Sequence, residues 1–76
     1  MNIEGFVTNI AEQYVETDPA LFTPQTEYKE LEEWSSLITL SIIAMVDAEY
    51  DVALKGEDFD NTKTIEDLFN LVNSKK

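Results

Sequence analysis

Ile3, Phe6, Val7, Ile10, Ala11 and Tyr14 recur at the three- and four-residue spacing that lines one face of a helix. Asn2 can cap that helix, and Glu4 suits its positive end. Gly5 weakens the first turn. Asn9, Glu12, Gln13 and Glu16 fall on the wet face. Pro19 disfavours helix in the residue before it, so the first helix is predicted over residues 3–16.

Residues 17–35 then form a connection unusually long for so short a chain. Asp18-Pro19 is suited to start one helical turn, with Asp18 as cap, and Ala20, Leu21 and Phe22 supply its apolar residues. Tyr28, Leu31 and Trp34 are three apart and are expected to pin the connection to the core.

From Ser36 the helical period returns, and a second helix is predicted over 36–50. Thr39, Ile42, Ile43, Val46 and Tyr50 make its expected core stripe. Leu37, Leu40 and Ala44 lie on a neighbouring face. They are either a partner-binding patch, flanked by Asp47 and Glu49, or covered by the long connection. Asp47, Glu49 and Asp51 oppose the helix dipole.

Val52 and Leu54 read as core contacts, Gly56 as a turn, and residues 57–59 as a short helical turn that buries Phe59. Thr64-Ile65-Glu66-Asp67 resembles a capping box, and Ile65, Leu68, Phe69 and Val72 make the stripe of a last helix over 65–73. The fold class expected is all-α: a small antiparallel bundle of three to four helices with a long loop between the first two, in one domain spanning 1–76.

Composition narrows the chemistry. The 76 residues contain no cysteine and no histidine. This excludes disulfides, zinc–thiolate sites, thiol nucleophiles and a Ser-His triad. There is no arginine, and five lysines stand against sixteen acids, for a net charge of −11. Nucleic acid and anionic membranes would be repelled, whereas a basic protein surface would be attracted. The apolar-rich run from Leu37 to Val46 is too short to span a bilayer. The N-terminus has no basic region, so a cytoplasmic protein, most simply a monomer, is expected. A loop starting at Asp58 fails as a calcium-binding EF-hand, because Lys63 stands where glycine is required and Phe69 where the glutamate belongs. No metal site is expected, and the chain is too small to surround a substrate pocket, so no enzyme is expected either.

One stretch has a more specific pattern. Ser35-Ser36-Leu37 opens the second helix. Glu49-Tyr50-Asp51-Val52, Glu57-Asp58 and Thr64-Ile65-Glu66-Asp67-Leu68 follow in order, and Tyr28-Lys29-Glu30-Leu31 precedes them. Over residues 26–72 this series resembles the acyl carrier protein family, without gaps. The resemblance implies that Ser36 is the attachment point of a covalent 4'-phosphopantetheine arm. That arm would hold acyl groups as thioesters for fatty-acid or specialised (polyketide- or peptide-type) biosynthesis. It implies as partners a phosphopantetheinyl transferase and acyl-transferring or condensing enzymes with basic docking patches. The docking residues would be Leu37, Leu40, Ala44, Asp47 and Glu49. The arm brings its own thiol, so the missing cysteine and histidine agree with the family.

Ser35 departs from the pattern, since the family usually has Asp there. A serine oxygen still caps a helix, but it offers no carboxylate beside the modifying enzyme. Slower modification, a dedicated transferase and an unmodified chain stay open. In the last case the chain would be an acidic helical adaptor of carrier-like fold that binds a basic partner without a prosthetic group. Glu32 and Glu33 are the nearest acids that could compensate.

A charge of −11 on so small a chain implies self-repulsion, which salt screens. The melting temperature at neutral pH is therefore expected to rise with added salt. A melting temperature indifferent to salt would contradict this.

Overall fold

The computed structural model describes residues 2–76. Four α-helices carry the fold: α1 (Ile3–Ala11), α2 (Ser36–Tyr50), α3 (Gly56–Asp60) and α4 (Ile65–Ser74). Two 3-10 turns, Pro19–Leu21 and Tyr28–Glu30, lie in the connection between α1 and α2. Among the described residues there is no strand, only an isolated antiparallel bridge between Glu27 and Thr64. No helix among them is long and apolar enough to cross a membrane. The fold is small and all-α.

Caps fix three of the helix starts. Asn2 Oδ1 accepts from the Gly5 amide at 3.0 Å and Ser35 Oγ from the Ile38 amide at 3.3 Å. Thr64 Oγ1 accepts from the Asp67 amide, and Asp67 Oδ2 accepts in return from the Thr64 and Lys63 amides. Each is a polar side chain satisfying an amide that has no partner inside the helix. At α3 the Lys55 amide donates to Asp58 Oδ2 at 2.8 Å. Lysine has no acceptor, so that box is half-formed.

The buried residues form one cluster: Phe6, Val7, Ile10, Ala11 and Tyr14 from the first segment, Phe22 and Tyr28 from the connection, Ile38, Ile42 and Val46 from α2, and Val52, Leu54, Phe59, Ile65, Leu68 and Val72 after it. The long connection is part of this core. Tyr28 is fully buried, its carbonyl accepts from the Tyr14 hydroxyl at 2.7 Å, and its own hydroxyl is hydrogen-bonded to Thr62 Oγ1. Leu31 and Trp34 pack partly buried against the cluster, as their spacing predicts. The connection also completes α4. Its Thr26 and Pro24 carbonyls accept from the Ile65 and Glu66 amides at 3.0 and 2.9 Å.

Three expectations need correction. The first helix ends at Ala11, not at residue 16. The backbone tightens beyond it, with Gln13 N–H donating to the Ile10 carbonyl and Tyr14 N–H to that of Ala11. These shorter-range bonds still turn Tyr14 inward, which is why the apolar spacing ran past the helix end. On α2 the buried stripe is Ile38, Ile42 and Val46, with Ile43 and Tyr50 only partly buried. Thr39 is half-buried, and its hydroxyl donates to the Ser35 carbonyl. Finally, Gly56 is the first residue of α3, and the left-handed residue that ends α2 is Asp51, at φ 57° and ψ 41°. Aspartate is one of the few side chains that tolerates this region.

Two tyrosines make the fold sensitive to alkali. Burial pushes the Tyr28 hydroxyl up to about 12 from an ordinary 10.0. The Thr62 hydrogen bond opposes this, while the Asp67 and Asp60 carboxylates add to it. Burial also raises Tyr14, with help from Tyr28 and Glu33. The folded chain keeps protons that the unfolded chain loses near 10, so stability is full below that pH and falls as pH rises toward 12. Alkaline titration is expected to show tyrosinate absorbance from these residues appearing together with loss of helical ellipticity. Their full titration while the helices persist would contradict it.

Candidate functional site

The start of α2 is the candidate site. The chain reaches it through a built approach. Trp34 lies edge-on to Tyr28 at 5.5 Å between ring centroids, and 6.0 Å from Phe59. One residue earlier, Glu33 Oε1 accepts from the Thr17 hydroxyl at 2.8 Å and from the Glu16 amide at 3.0 Å. This carboxylate joins the segment leaving α1 to the segment opening α2. Slight burial raises its pKa. The hydrogen bonds from the Thr17 hydroxyl and the Glu16 amide, with the neighbouring Val15 and Thr17 amides, outweigh that and hold it below the ordinary carboxylate value. Glu33 is therefore occupied with the loop and is not a spare acid for the helix start. Glu32 beside it is exposed.

The two serines differ. Ser35 is extended, at φ −160° and ψ 174°, and caps α2 through both its oxygens. Oγ accepts from Ile38 N–H, and the carbonyl accepts from Thr39 N–H at 3.0 Å. Ser36 is the first helical residue, is exposed, and its Oγ has no hydrogen bond among the described residues. The Ser36 and Leu37 amides likewise find no acceptor there. By contrast, the first four amides of α4 are all satisfied. An anionic phosphodiester on Ser36 Oγ fits this arrangement: two open amides and the positive end of the helix dipole are at hand.

Leu37 is 74% exposed and Leu40 62%; Ala44, Asp47 and Glu49 are exposed as well. The long connection does not cover them. Seen down its axis, α2 is apolar on both sides, with Ile38, Ile42 and Val46 in the core and Leu37, Leu40 and Ala44 in water. A helix apolar all round is normally buried all round, and exposed apolar patches commonly mark contact surfaces. The C-terminal end of α2, crowded by Asp47, Glu49 and Asp51, gains a compensating donor from Lys76. Its Nζ lies 3.2 Å from the Tyr50 carbonyl. Sequence reading missed the Glu33 clasp. The signal was an acid beside a helix start, which caps and solvated faces also use.

Comparison with protein families, with curated proteins and with solved structures returns no match for this chain.

If Glu33 holds the two segments together, Glu33→Ala frees the Glu16 amide. Hydrogen exchange at Glu16 is expected to accelerate in that variant while amides in the middle of α4 stay protected. In the unsubstituted chain the clasp is complete above the ordinary carboxylate range and is lost as pH falls through the lowered pKa of Glu33. Unchanged exchange at Glu16 would show that the clasp does not hold.

Proposed function

We propose that this chain is a non-catalytic carrier, of the acyl carrier protein type, that holds acyl or related groups as thioesters on a 4'-phosphopantetheine arm joined to Ser36. The observation that carries the reading is the exposed Ser36 hydroxyl at the first position of α2, without a hydrogen bond among the described residues and beside the outward face of Leu37, Leu40 and Ala44. The antiparallel arrangement of the carrier fold and a role in fatty-acid or specialised biosynthesis in the cytoplasm belong to the same reading.

The chain's residues contribute presentation. Ser35 caps the helix and leaves the neighbouring hydroxyl free. In modification, Ser36 Oγ bonds to the phosphorus that carries the pantetheine arm of coenzyme A. The pyrophosphate link breaks, adenosine bisphosphate leaves, and the serine proton passes to a base on the transferase. When bound, the arm supplies the thiol this chain lacks. Leu37, Leu40 and Ala44 give partner enzymes an apolar contact, and Asp47 and Glu49 steer basic patches toward it. Docking converts thioester transfer into a reaction at high effective concentration. Ser35 in place of the family's Asp favours one alternative: a carrier-like adaptor without the arm, whose salt-sensitive binding to a basic partner survives Ser36→Ala.

Intact-mass spectrometry after incubation with coenzyme A and a broad-specificity phosphopantetheinyl transferase tests the proposal. One phosphopantetheine mass is expected on the unsubstituted chain and none on Ser36→Ala. Ser35→Ala is expected to keep the modification while losing about 1 kcal/mol of stability with its cap. No added mass, under conditions that modify a control carrier, would contradict the carrier reading. Modification lost in Ser35→Ala and kept in Ser36→Ala would move the site.

A further inference from the structure

Val7, Thr8 and Ala11 of α1, with Glu12 just beyond, face Pro19 and Phe22 across an open cleft of about 330 Å³. That size admits a small ligand or one large side chain. Val7, Ala11 and Phe22 give it an apolar floor. Its walls are held in place from within the chain. Phe22 packs on Tyr14 with ring centroids 5.1 Å apart, and its amide donates to the Pro19 carbonyl. Asp18 Oδ1 accepts from the Ala20 amide at 2.9 Å, and the Thr26 hydroxyl donates to the Leu21 carbonyl at 2.9 Å. A recess fixed this way needs little ordering when something enters it.

Its borders are apolar and acidic together. Leu21, between two lining residues in the chain, is 60% exposed. Residues 2–28 contain Glu4, Glu12, Glu16, Asp18 and Glu27 and no lysine. Glu12, in the cleft lining, has no hydrogen bond or ion pair from its carboxylate among the described residues, where the ion pair found is Lys75 with Asp58. A fatty carboxylate or a nucleotide would meet repulsion here. A cationic surface with one apolar anchor would meet complementary charge.

We infer that this cleft is a docking site for a cationic amphipathic helix of a partner protein. One large apolar side chain of the partner enters between α1 and the Pro19–Leu21 turn, and flanking lysines or arginines meet Glu12 in the lining and Asp18 beside Pro19. The site shares no residue with the outward face of α2 and does not depend on modification of Ser36.

The probe is a synthetic amphipathic helical peptide of leucine and lysine, titrated at low salt into the full isotope-labelled chain and followed by amide chemical shifts. Saturable shifts are expected at Val7, Ala11, Leu21 and Phe22, whether or not a second set appears on α2. Glu12→Lys is expected to weaken binding at these residues about tenfold more than the charge-matched Asp47→Lys does. Leu21→Ser, at an exposed position, is expected to weaken it as well, with circular dichroism showing each variant folded. No saturable shift at the cleft would overturn the inference. Equal weakening by Glu12→Lys and Asp47→Lys would also overturn it, since only net charge would then matter. So would a laurate titration that filled the cleft where the peptide did not.

Discussion

The seat of Tyr28 is the constraint on which the start of α2 depends. One fully buried side chain ties three parts of the chain together. Its carbonyl accepts the Tyr14 hydroxyl, its hydroxyl meets Thr62 after α3, and its ring packs against Trp34 and Phe59. A connection of more than twenty residues between α1 and α2 would otherwise leave the second helix free to start anywhere in a range of positions. With Tyr28 seated, Trp34 is placed, and Ser35 and Ser36 follow at a fixed point on the surface. The backbone cost of ordering the connection is offset by burial of Tyr28 and Phe22 and by the carbonyls it lends to α4.

From that fixed start α2 divides its apolar residues between two tasks. Ile38, Ile42 and Val46 close the core, and Leu37, Leu40 and Ala44 stay in water. Stability alone would favour polar residues on the outer face and a base near the C-terminal end, yet the helix carries leucines and acids there. The strongest local conflicts between sequence and stability thus sit on one element, next to the serine proposed to carry the arm. The cleft against α1 is a second apolar surface with an acidic border, built by different residues.

Much of this fold was legible in the residues. The starts of α1, α2 and α4 were readable because Asn2, Ser35 and Thr64 are side chains whose oxygens have a defined job at a helix end. Tyr28, Trp34, Val52, Leu54 and Phe59 were readable as anchors because large apolar groups in loops must be buried somewhere. Other features were hidden for physical reasons. The end of α1 was hidden because a tightened turn keeps Tyr14 facing the core after the α-helix has stopped. The inner face of α2 was misread by one position, at Thr39 instead of Ile38, because a helix apolar all round gives its period little contrast. The left-handed Asp51 was not legible, because glycine is the usual residue at such a helix end and none stands there. At the site, the cap at Ser35 was readable from its place before the helix, whereas the role proposed for Ser36 came from the family resemblance. The Glu33 clasp was not, because it joins residues sixteen and seventeen apart that no local pattern links.

The proposal stands or falls on whether Ser36, at the start of α2, carries the arm. The most direct measurement is fragmentation mass spectrometry of the chain purified from its own cells. A phosphopantetheine mass localised to Ser36, with Ser35 unmodified, is expected. A chain recovered in full with both serines bare would contradict it.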